Sequence, residues 1–226
     1  MSAQQITIEV NEDETVSGLL LVPTCPVACC VLAHGAGAGM THPFMTAVAE
    51  GLHSRRMATL RYQFPYIEHG SKRPDRPPLA HATVRAAVAT ATRLAPEVPL
   101  IAGGKSFGAR MTSQAQAQLP IPNVVGLVFL GFPLHPAGKP SDDRAAHLSE
   151  VRVPMLFLQG TRDTLADSRL LGTVLDRLSP GATSRLFEGA DHSFHVPKRS
   201  GTTDRQVLDG VLDALVAWAL SICGPH

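Results

Sequence analysis

Gly104, Lys105, Ser106, Phe107 and Gly108 lie within PLIAGGKSFGAR, and this corner is compatible with two different chemistries. Read through GGKS, it would end a phosphate-binding loop, whose first glycine must stand five residues before the glycine of the GK pair so that successive backbone N–H groups can wrap the phosphates. Pro99 occupies that position, so the phosphate reading fails on spacing. Read as G-x-S-x-G, the same residues place a serine at a sharp turn from an apolar strand into a helix. Glycines two residues to either side are then required, because side chains there would clash as strand and helix cross.

A serine hydroxyl is a poor nucleophile until a base takes its proton and a third group orients that base. On a strand-turn-helix corner the chain order is serine, acid, histidine. Asp163 stands just after a later strand in MLFLQGTRD, and His192 stands in the loop after the last strand in RLFEGADHSFH. Other assignments stay open: Asp163 as a simple helix cap, Asp191 as the acid, and His195, which has no assigned acid partner, as the base. The oxyanion of an acyl transfer needs two N–H donors, one from the residue after the serine, here Phe107, and one from the loop after the third strand. That loop reads AHGAGAGMTHP, a turn of small residues in which Ala36 is the favoured donor and Gly37 the next. It is not a dinucleotide fingerprint, because the third glycine of G-x-G-x-x-G would fall on Met40 or on His42.

These residues need a scaffold, and the chain supplies one by alternation. ITIEV and TVSGLLLVP flank the acidic turn NEDE and predict an antiparallel hairpin at a sheet edge. ACCVLAHG, MATLRYQF, VPLIAGG, VVGLVFLGF, PMLFLQG and TSRLFEG predict six further strands, and the continuous apolar runs among them suit central strands covered on both faces. Helices are predicted over PFMTAVAEGLHSRR, with Thr41 as cap and Pro43 in the first turn, and over LAHATVRAAVATATRLA, SFGARMTSQAQAQL, ADSRLLGTVLDRLS and DRQVLDGVLDALVAWAL. In the last, Val207, Leu208, Val211, Leu212, Leu215, Val216 and Leu220 form an apolar stripe that reads as core packing. The pattern is that of an α/β domain around a mostly parallel sheet.

At 226 residues with 44% hydrophobic and 17% charged, the chain fits a single domain, 1–226. A formal charge of +1 with no block of Lys or Arg gives no footprint for nucleic acid or an anionic membrane. The N-terminus MSAQQITIEVNEDET lacks the basic and apolar regions of a secretory signal, and apolar runs such as VVGLVFLGF are too short to span a bilayer, so a cytoplasmic protein is expected. Cys25, Cys29, Cys30 and Cys223 show no metal spacing, and His192 with His195 lacks a third ligand, so neither a metal nor a cofactor is expected.

Taken together, HGAGAGM, RYQFPY, GGKSFGAR, GFPLHPAGKP, LQGTRD and GADHSFH resemble the α/β-hydrolase superfamily over nearly the whole chain. More narrowly the chain is similar to a small dienelactone-hydrolase-like branch, whose relatives include a hydrolase-like domain in a human chromatin acetyltransferase complex. The resemblance implies a sheet of about eight strands with Ser106, Asp163 and His192 as triad, acting on a small ester-like substrate. It departs from dienelactone hydrolases proper in carrying serine where they use cysteine. No long insertion follows VVGLVFLGF, so no lid domain is expected and the site should be open. Lys105, His135 and Lys139 are expected to flank it and favour a substrate with some negative charge. A non-catalytic binding role is the alternative, and monomer and homodimer both stay open.

Overall fold

The apolar runs form the interior of one sheet. In the computed structural model, which describes residues 2–224, β3 (Ala28–Ala33), β4 (Met57–Tyr62) and β7 (Met155–Gly160) are buried at every position. β5 (Leu100–Lys105) and β6 (Val124–Leu130) are buried at all but one. Strands covered on both faces show no polar alternation, which is why these segments read as unbroken apolar runs. β1 (Gln4–Glu9) and β2 (Thr15–Leu21) form the antiparallel edge hairpin, closed where the N–H of Val10 donates to the carbonyl of Glu14 at 2.8 Å. β8 (Ala182–Phe187) is the other, largely exposed edge. The order across the sheet is β1-β2-β4-β3-β5-β6-β7-β8; β2 also pairs antiparallel with β4, and every later pairing is parallel.

Helices cover both faces. On one face α1 (Pro43–His53) contributes Met45, Val48 and Leu52 to a buried cluster with residues of the last helix and the sheet. On the other, α3 (Pro77–Leu94), α4 (Phe107–Gln118) and α5 (Ser168–Leu178) bury Val84, Met111 and Leu171. A short helix that the sequence pattern does not announce, α2 (Pro65–Glu68), follows β4. α1 is capped by His42 rather than Thr41: the His42 imidazole accepts from the Phe44 N–H at 3.2 Å, a bond that Thr41 is one residue too early to make. α3 starts at Pro77, two residues ahead of the predicted helix, because both prolines fit a first turn that needs no N–H donors.

The last helix, α6 (Asp204–Cys223), opens with a capping box between Thr203 and Gln206. Val207, Val211, Leu212 and Leu215 are buried as the stripe predicts, but Leu220 is 49% exposed and Trp218 takes its place. At about 3.6 residues per turn, Leu220 falls on the side opposite Val211 and Trp218. By length and composition α6 is also apolar enough to cross a membrane, with mean hydropathy 1.5 in its most apolar stretch, which corrects the reading that every apolar run is too short. Here that apolar content packs against α1, β6 and β7. The connection from β6 to β7 carries only a 3-10 segment, Asp143–Glu150, and no lid domain.

Candidate active site

Ser106 stands at the corner between β5 and α4 with φ +52° and ψ −109°. Such a conformation costs about 1–3 kcal/mol in a residue with a side chain and persists only where its surroundings fix it. The two flanking glycines show how the surroundings do so. A Cβ at Gly104 would lie 2.2 Å from the carbonyl oxygen of Ala33, and one at Gly108 would lie 2.6 Å from both the Cβ and the oxygen of Ala33. The corner is therefore pressed onto the end of β3, and only glycine permits the approach.

His192 and Asp163 come to this corner from the loops after β8 and β7. Ser106 Oγ is 2.9 Å from His192 Nε2, and His192 Nδ1 is 2.6 Å from Asp163 Oδ2. Because Asp163 takes the Nδ1 proton as a hydrogen bond, Nε2 is left to accept from the serine hydroxyl. Asp163 is 5% exposed and also accepts from the Leu165 N–H at 2.8 Å and from the side-chain amide of Gln159. Gln159 is itself fixed, since its Oε1 accepts from the Phe132 N–H at 2.9 Å. The loop bearing His192 is folded by Asp191, whose carboxylate accepts from the N–H groups of Ser193 and His195 at 2.8 and 3.0 Å. Asp191 is thus committed to its own turn, and the carboxylate beside His192 is Asp163.

Ser106 opens onto a cleft of ≈ 370 Å³ lined by Ala36, Ala38, Phe44, Met45, Lys105 and Leu165. Phe107 is the first residue of α4, so its N–H has no acceptor within the helix. Residues 26–220 match the family described as an alpha/beta hydrolase domain. The chain belongs to this alpha/beta hydrolase family. Solved structures similar to it include a dienelactone hydrolase from Anabaena variabilis, with TM-score 0.76 and 20% identity over 98% of this chain and 99% of that one. A serine hydrolase without a lid from Xanthomonas campestris gives 0.73 and 19% over 100% and 97%. An esterase domain from Rhodothermus marinus gives 0.74 and 19% over 99% and 100%. This alpha/beta hydrolase is a small member of the family without a lid.

The loop after β3 in this hydrolase places the two candidate oxyanion donors differently. The Gly37 N–H is directed to the Tyr66 hydroxyl at 3.3 Å, whereas the Ala36 N–H has no acceptor among the described residues. Of the two, the Ala36 N–H is the one left free. The loop is pinned by His34, the first residue of that turn. Its Nδ1–H donates to the Gly35 carbonyl at 2.8 Å and its Nε2 accepts from the Phe64 N–H at 3.1 Å. Burial lowers the His34 pKa to about 4, which keeps the ring neutral and both bonds intact at neutral pH.

Other expected residues lie elsewhere. His135 is 3% exposed, with Nδ1 donating to the Pro136 carbonyl at 2.9 Å and Nε2 accepting from the Asp167 N–H at 3.0 Å. Both ring nitrogens are used, Nε2 tying the loop after β6 to the start of α5, so His135 does not present itself to a substrate. Lys139 is exposed on the following loop. Lys105 does reach the cleft, but its ammonium donates to the main-chain carbonyl of His192. His195 has an acid partner after all, Asp204 at 2.7 Å, in an exposed pair whose hydrogen bond raises the histidine pKa. Cys29 and Cys30 are buried in β3, where burial pushes the Cys29 thiol up to about 12. Among the described residues no three His, Cys, Asp or Glu side chains converge as metal ligands would.

Proposed function

We propose that this alpha/beta hydrolase cleaves a carboxylic ester, thioester or lactone through an acyl-enzyme, with Ser106, His192 and Asp163 as its triad. The observation that carries the reading is the continuous hydrogen-bond chain from Ser106 through His192 to buried Asp163, on a strained corner that opens to an apolar cleft. Ser106 Oγ bonds to the substrate carbonyl carbon as its proton passes to His192 Nε2. The carbonyl electron pair collects on oxygen, where the N–H groups of Phe107 and Ala36 receive it. Collapse breaks the bond to the alcohol, thiol or ring oxygen, which leaves with the proton from His192. A water molecule then repeats the sequence on the acyl-enzyme, with His192 as base, and restores Ser106. Removing one oxyanion donor from such a site typically costs about 10²–10³-fold in kcat.

The test is covalent labelling. A fluorophosphonate should phosphonylate Ser106, since an activated serine and an oxyanion site both favour attack at phosphorus. Ser106→Ala should abolish labelling while the protein stays folded, and labelling that persists at another serine would sink the assignment.

Cleft size gives a second expectation. Each methylene buried on binding is worth about 0.8 kcal/mol, but a small open cleft has no channel in which to bury a long chain. On p-nitrophenyl esters from acetyl to lauroyl, kcat/KM should be highest for short acyl groups. A steady rise to lauroyl would require a deep apolar channel and overturn the open-site reading.

A further inference from the structure

We propose that Lys105 is the positioning residue of His192: its side chain grips the main-chain carbonyl of His192 and holds the loop that carries the base against the corner that carries Ser106. The proposal rests on the reading of Ser106 as nucleophile and His192 as base. Lys105 ends β5 and directly precedes Ser106, yet its side chain crosses to the loop after β8, where Nζ donates to the His192 carbonyl oxygen. Two rings flank the ammonium. Nζ is 5.9 Å from the ring centre of Phe44 and 5.5 Å from that of Phe194, and the two rings stack with centroids 5.8 Å apart and an interplanar angle of 2°. Phe44 belongs to α1 and Phe194 to the His192 loop, so one cation ties together three segments of the cleft wall. Gly131, at φ +74°, makes the room: a Cβ there would lie 2.8 Å from Nζ and 3.4 Å from His192 Cε1 and Nδ1.

The sign of the charge separates positioning from electrostatic assistance. A cation beside an imidazole opposes formation of the imidazolium, so by electrostatics alone Lys105 would slow proton transfer to His192. A residue that helps the base from here does so by holding it in place. The titratable groups around the ammonium are Asp163 after β7 and Asp191 and His192 from the loop after β8, and His42 before α1 lines the same cleft. Burial lowers the Lys105 pKa to about 8, against the opposing pull of Asp163 and Asp191. Below that pH the ammonium makes a charge-assisted bond; as pH rises through it, the neutral amine keeps a weaker bond and loses its attraction to the rings. Activity should therefore fall on the alkaline side.

The experiment compares kcat and KM of the wild type and Lys105→Met on p-nitrophenyl acetate across the neutral to alkaline range, with thermal melting as a check on folding. The expected result is a fall in kcat of tenfold or more with KM changed by less than about threefold, together with loss of the alkaline fall seen in the wild type. An unchanged kcat, a faster variant, or a rise in KM alone would overturn the proposal, the last because it would make Lys105 a substrate-binding group. A second measurement needs no variant. Lys105 is one of four lysines, the others being Lys72, Lys139 and Lys198, so its Cε carbon-13 signal in the wild type is assignable. Its titration should coincide with the decline in the rate of Ser106 phosphonylation, and two separate midpoints would overturn the proposal. Absence of labelling at Ser106 in the wild type would instead strike the nucleophile assignment itself, which distinguishes the two failures.

Discussion

His192→Ala is expected to lower turnover of an activated ester by about a million-fold, the scale of loss when the base is removed from a serine protease triad. His195→Ala, by contrast, should change turnover by less than about tenfold, which is about 1.4 kcal/mol of barrier. The two histidines differ in what they touch rather than in type. His192 lies between Ser106 at 2.9 Å and Asp163 at 2.6 Å, whereas His195 spends its Nδ1 on exposed Asp204. Kinetics on one p-nitrophenyl ester, with circular dichroism to verify folding, decides between them. The opposite ranking would move the base to His195 and remove the proposed role of His192.

Asp163→Asn should cost about 10⁴-fold in kcat, because an amide beside Nδ1 favours the imidazole tautomer whose Nε2 is already protonated. The surroundings make this substitution less forgiving here. Asp163 Oδ1 accepts from the Leu165 N–H, and Oδ2 accepts from both His192 and the Gln159 amide. If Leu165 holds the new carbonyl oxygen, the new NH₂ group donates to Nδ1 of the switched tautomer and meets the Gln159 amide donor to donor. Gln159 cannot relieve the conflict by turning over, because its own oxygen is held by the Phe132 N–H. Asp191→Asn, where the carboxylate only folds a turn, should leave kcat within about tenfold of wild type. A loss confined to Asp191→Asn would reassign the orienting acid.

The sequence revealed the parts of the site whose constraints are local along the chain. Gly104, Ser106 and Gly108 are readable because one crossing, over Ala33, dictates all three positions within five residues. The central strands β3 to β7 are readable because burial on both faces writes itself as uninterrupted apolar residues, and Asp163 because it directly follows such a run, whereas His192 follows the exposed edge strand β8 and is readable from its place after the last strand. The rest depends on contacts between distant residues. Nothing near Lys105 indicates that its ammonium ends on a carbonyl 87 residues later, and a cation in a cleft reads equally well as a substrate anchor. His135 looked like a cleft residue for the same reason, yet the Asp167 N–H captures its ring. Gln159 left a legible trace, a lone polar side chain in the run MLFLQG, whose meaning appears only once Asp163 and Phe132 are seen to converge on it.

The placement of α6 bears on how the polypeptide is made. Val128, Leu130, Leu156 and Leu158 lie on the sheet face that α6 covers, and Val207, Val211 and Leu215 are their partners. On the ribosome, Ser106, Asp163 and His192 are all synthesised before this helix. During that interval one side of the central strands stays bare, the condition under which nascent proteins engage chaperones or associate with one another. Docking of α6 is therefore the step that covers this face of the sheet.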